Sequence, residues 1–71
     1  MRKRTTKLIK YTWDDDHDIV FFFVYDPDDL WTCDDAWLVT EDRTEIDEHP
    51  SDIDREKYDD LCCDAWRDVW E

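Results

Sequence analysis

Residues 18–26 read DIVFFFVYD, seven consecutive apolar side chains from Ile19 to Tyr25 held between aspartates. The run is too short for a buried helix and rich in β-branched and aromatic residues. It therefore predicts a strand in the middle of a sheet, covered on both faces. Everything else in the chain has to supply its neighbours and its cover.

Upstream, TTKLIKYTW (residues 5–13) alternates, with Ile9, Tyr11 and Trp13 on one side and Leu8, Lys10 and Thr12 on the other. That is the pattern of a half-buried strand. The polar break DDDH between the two runs predicts an antiparallel hairpin. Downstream, Asp26-Pro27-Asp28-Asp29 has the form of a helix start, Asp26 capping and Pro27 in the first helical position. It predicts a short helix to about Asp35, followed by a strand over Ala36–Thr40. The alternative is a plain turn, with LWTC (residues 30–33) and AWLVT (residues 36–40) forming a further hairpin. The polar stretch EDRTEIDEHP (residues 41–50) is expected to connect, with one more edge pairing around Glu45–Asp47.

The C-terminal segment is the clearest helix, because Tyr58, Leu61, Cys62, Ala65, Trp66 and Val69 recur at helical spacing and form one apolar stripe. Either Ser51 or Asp54 can cap it. Asp54 is preferred, since Ile53 and Tyr58 then flank the start as a hydrophobic staple. The fold class expected is α+β: an antiparallel sheet of about three strands against one long C-terminal helix, in ββ(α)βα order. Residues 1–71 read as a single acidic domain, with residues 1–4 as a flexible basic N-terminus.

Charge is the other strong signal. The chain holds 22 acidic and 9 basic residues for a net charge of −13, and 17 of the acids are Asp. Residues 1–10 carry +5 and residues 11–71 carry −18, so the body is more acidic than the total. Such a field repels nucleic acid and anionic membranes and draws basic protein surfaces. Gly is absent, which removes phosphate-cradling glycine loops and leaves turns to Asp, Pro, Ser and His. A single serine, Ser51, makes a serine triad untenable, and no enzyme activity is expected.

The stretch DDDHD (residues 14–18) lacks the glycine and the distant bidentate Glu of a calcium loop. Cys62 and Cys63 are adjacent rather than at zinc spacing, Cys62 falling on the apolar stripe and Cys63 on its flank. No metal and no cofactor are expected. The odd thiol count with Cys33, and the acids that interrupt the apolar stretch after the basic start, point to a reduced cytoplasmic setting, that of a host cell if the source is a phage. Lys7 and Lys10 are expected to offset acids within the sheet rather than to meet phosphates.

Within the last 21 residues Asp52, Glu56, Asp60, Asp64 and Asp68 fall four apart, which on a helix costs about 0.2–0.5 kcal/mol per like-charged pair. Asp is a poorer helix former than Glu but holds its charge close to the backbone. The expected use is a fixed negative display. Asp59 and the loop acids Asp14, Asp15, Asp16, Asp28, Asp29, Asp34 and Asp35 widen it into a surface that imitates nucleic acid and blocks the basic groove of a DNA- or RNA-binding protein. A restriction enzyme, a CRISPR effector, a repair enzyme or a polymerase would be such a target, and a phage or mobile element the expected source. Two other classes compete. One is a salt-adapted acidic protein, and the other an acidic antitoxin or adaptor that docks on a basic partner through Trp31 or Trp70 as anchors. Trp13, Trp37 and Trp66 are expected inside. A homodimer would supply cover for the second face of the sheet.

Overall fold

The computed structural model describes residues 5–70. The expectation for residues 1–4 lies outside that range. Three strands, β1 (Thr5–Thr12), β2 (His17–Asp26) and β3 (Leu30–Thr40), form an antiparallel sheet in the order β1-β2-β3. A four-residue turn of helix, α1 (Pro50–Ile53), precedes the 15-residue α2 (Arg55–Val69). The expected α+β class is the observed one.

The apolar run occupies the central strand, as its composition requires. Its odd-numbered residues Ile19, Phe21 and Phe23 are sealed beneath the helix together with Trp13, Ala36, Leu38, Ala65 and Val69. Each such large side chain contributes about 1.5–3 kcal/mol relative to exposure. Cover on both faces, however, is not what the structure shows. Phe22 and Val24 point away from the helix and stay half-buried, because α2 is the one long helix among the described residues and lies on a single side. Trp37 and Val39 share that open side and are half-buried too.

The predicted helix over residues 27–35 does not form. Pro27–Asp29 make a turn, and β3 runs without interruption from Leu30, so the alternative hairpin within 30–40 is also replaced by one long strand. Asp26 uses its carboxylate to accept from the Asp28 N–H at 2.9 Å, which closes the turn where helix capping was expected. A register shift opposite Phe22 and Phe23 leaves Asp34 as the extra residue of β3. The expected pairing near Glu45 is present as a single bridge between Val39 and Glu45, and Ile46 N–H donates to the Leu38 carbonyl at 3.0 Å.

The helix start uses both candidate segments. Asp54 adopts an extended conformation (φ −152°) that ends α1 and caps α2, its carboxylate accepting from the Lys57 N–H at 3.1 Å. The cap of α1 is His49 rather than Ser51: its ring accepts from the Ser51 N–H at 3.2 Å.

With no glycine in the chain, the left-handed positions fall to Leu30 (φ 63°) and Arg43 (φ 66°). A left-handed residue with a Cβ costs about 1–2 kcal/mol, and glycine's greater freedom in the unfolded chain offsets about 0.5–1 of any relief. Arg43→Gly is therefore expected to stabilise the protein by about 0.5–1 kcal/mol and to raise Tm by a few degrees in a calorimetric scan.

Candidate acidic binding surface

Register decides which acids meet. Pairing of His17 with Thr40 brings Glu41 beside the β1–β2 turn, where it borders an open cleft of about 350 Å³ with Thr12, Asp14, Asp15, Asp16 and Asp18. A second cleft of about 520 Å³ adjoins it, sharing Thr12 and bordered by Asp54, Glu56, Asp60, Lys57 and Leu61. Eight carboxylates thus gather at one end of the molecule. Duplex DNA carries a charge per about 1.7 Å of axis, so eight charges correspond to about 14 Å of duplex.

Few of these charges are neutralised internally. Among the described residues the ion pairs are His17 with Asp14 at 2.9 Å and Arg55 with Asp59 at 3.9 Å. Lys57, the ammonium at this end, sits over the Trp13 ring at 4.8 Å from its centre. Lys7 and Lys10, expected to offset acids in the sheet, form no ion pair among the described residues. Asp14 and the helix cap Asp54 are structural members of the group, and Asp14 holds the turn. It accepts from the His17 ring and from the Asp16 N–H at 2.8 Å, and these two donors, the ring first, hold its carboxyl below the usual carboxylate range. Stability from this turn is present above the ordinary pKa of 3.8 and is lost as the pH falls below it.

The remaining candidates are dispersed. Asp28 and Asp29 occupy the opposite turn, and the ten residues of β2 between the turns span about 30 Å. That is several Debye lengths at physiological ionic strength, so the two ends act independently. Asp34 and Asp35 flank the bulge on an edge strand, where charge opposes pairing with another chain. Asp52 belongs to α1, separated from the α2 acids by the break at Asp54. Asp64 extends the α2 row beyond Asp60, while Asp68 accepts a hydrogen bond from the Tyr11 hydroxyl and ties the helix to β1. Sequence reasoning missed Glu41 as a member of the acidic end and placed Asp54 there only as a helix cap. The β2–β3 register would have found Glu41.

The other flank of α2 is aromatic. Trp66 was expected inside but is 51% exposed, and it packs edge to face against the exposed Trp70 at 5.8 Å. The Trp66 indole N–H donates to the Trp31 carbonyl at 3.3 Å. Trp31 itself, a predicted anchor, is half-buried and stacks on Tyr25. The thiols divide as predicted, Cys63 exposed and Cys62 packed on the core. Burial raises the Cys33 thiol to about 12, with Cys62 beside it as the next cause. Among the described residues no three His, Cys, Asp or Glu side chains are placed to hold a metal ion, and no helix is long and apolar enough to cross a membrane.

Tyr11 offers a direct test of the helix–sheet tie. Partial burial and then the Asp68 carboxylate raise its hydroxyl from 10.0 to about 12. A raised pKa stabilises the fold fully below the unfolded value and is lost as pH climbs through the folded one. Tyr11→Phe is expected to cost about 1 kcal/mol in urea denaturation at pH 7. The gap between wild type and variant should narrow between pH 10 and about 12. No protein-family model matches the chain, and neither curated proteins nor solved structures gave a match.

Proposed function

We propose that the protein is a non-enzymatic inhibitor that presents its acidic end to the cationic groove of a nucleic-acid-binding protein, in place of DNA or RNA. The observation that carries this reading is the junction of two clefts at Thr12, where eight carboxylates face one lysine and one histidine. Short side chains on a turn, a strand end and a capped helix lose little freedom when a partner binds, which favours a preorganised charge display. A cationic groove gains by meeting this end, where Lys57 and His17 border the clefts and Arg55 at the start of α2 lies beside Asp59. Among the targets such a display fits are the defence, repair and polymerising enzymes that hold nucleic acid in basic channels.

One observation favours a second reading. Trp66 and Trp70 form an exposed pair away from the acidic end, which suits an adaptor anchored by aromatic side chains. The two readings separate by substitution. A partner would first be captured from bacterial lysate and released by rising salt. Its affinity would then be measured for Asp15→Asn/Asp16→Asn/Asp60→Asn and for Asp28→Asn/Asp29→Asn/Asp34→Asn, which remove equal charge from the acidic end and from the far turn and edge strand. At about 0.5–1 kcal/mol per contact the first set is expected to weaken binding roughly 10–100-fold, the second under about threefold. Equal losses would reduce the effect to net charge, and loss only with Trp70→Ala would favour the anchor.

A further inference from the structure

The side of the sheet away from α2 is apolar at its centre, and no helix or strand among the described residues packs on it, although Val20 is buried by its neighbours within the sheet. Val20, Phe22 and Val24 of β2 lie there between Leu8 of β1 and Trp37 and Val39 of β3. Leu8 is 60% exposed. The charges on this face are Lys10 and Asp35 on its two opposite edges and Asp18 and Asp26 at the two ends of β2. Lys10 is level with Val20 and Trp37, and Asp35 is level with Phe22 and Leu8.

We infer that this face is the contact between two copies of the chain, packed sheet on sheet about a two-fold axis running along β2. Over Val20–Val24 the pattern of residues is self-complementary under that operation, while Asp18 and Asp26 at the ends of β2 face their own copies and splay into solvent. A two-fold along the strands keeps each residue at its level and lays β1 over β3 of the second copy. Lys10 then meets the ring of the second copy's Trp37, one pleat (about 7 Å) from its Asp35, and each contact occurs twice. A two-fold across the strands would instead set β1 on β1 and bring the two lysine-bearing edges together.

Area is consistent with this occupant. Three strands about 4.8 Å apart and some 27 Å long, with side chains standing on them, present on the order of 600 Å² per copy. Two copies then bury about 1,200 Å², the lower bound of specific interfaces and the size of weak, transient ones. Apart from Asp18 and Asp26 at the ends of β2, the acids lie on the turns, on the sheet's edges and on α2, so the middle of the contact desolvates little charge. The two bodies, each at −13, still repel through solvent. Salt therefore strengthens this association, whereas it weakens the capture of a cationic partner. The opposite responses keep the two proposals separable.

The test is sedimentation equilibrium of the full chain over about 1–300 μM, the range in which a weak dimer forms, at low and at moderate salt. The mass is expected to rise from 8.8 kDa to twice that value, with the midpoint at lower protein concentration in higher salt. Leu8→Lys should return the protein to monomer with its far-ultraviolet circular dichroism unchanged. Lys10→Glu should weaken the dimer about tenfold, and Lys10→Glu with Asp35→Lys should restore it. A mass of 8.8 kDa at every concentration would overturn the inference, as would a dimer indifferent to Leu8→Lys and Lys10→Glu. So would a monomer whose open face becomes protected only when a basic partner binds.

Discussion

The structure depends on the burial of one side of β2 by one helix. Ile19, Phe21 and Phe23 are fully sealed and stand at the centre of the core. A 15-residue helix can cover one face of three strands and no more. From that single limit follow the placement of Trp13, Ala36, Leu38, Ala65 and Val69 around the inner face, and the half-exposure of Phe22 and Trp37 on the other. A chain of this length buries only about 60% of its unfolded surface, so an uncovered sheet face is a large fraction of what it leaves out.

Charge is fitted around that core rather than into it: no charged or polar side chain is buried among the described residues. Aspartate does three separate jobs. Asp14, Asp26 and Asp54 accept backbone N–H groups and shape turns or a helix start in a chain without glycine. Asp34 and Asp35 mark an irregular edge of the sheet. Asp15, Asp16, Glu41, Glu56 and Asp60 accept no such bond among the described residues and gather where β1 ends and α2 begins. The like-charge repulsion along α2 is thus concentrated at the helix's N-terminal half, where the helix dipole favours anions, while Asp68 at the other end is relieved by the Tyr11 hydroxyl.

The hairpin of β1 and β2 and the helix α2 were legible because their patterns persist over eight or more residues and their boundaries carry polar breaks. Asp54 was legible as a cap for the same reason. Residues 27–35 were not, because an aspartate before Pro-Asp-Asp offers the same carboxylate to a helix N–H and to a tight turn, and only pairing with β2 decides between them. Trp66 was misplaced because it stands at the edge of the apolar stripe. There the helix leans over the end of β3 and leaves the ring in solvent, held by one hydrogen bond to Trp31. The acidic end was visible as composition but not as a place, since its membership is set by the level at which β3 ends beside the β1–β2 turn.

The central claim is that the acidity is displayed for a partner by a fold that stands on its own core, and the most direct measurement is the dependence of folding on salt. Thermal unfolding followed by circular dichroism should be cooperative in about 0.1 M NaCl, with Tm rising only modestly by 1 M as screening tightens to about 3 Å. A chain that is unfolded at 0.1 M and folds only near or above 1 M would mean that the carboxylates answer to a saline environment, and would contradict the account.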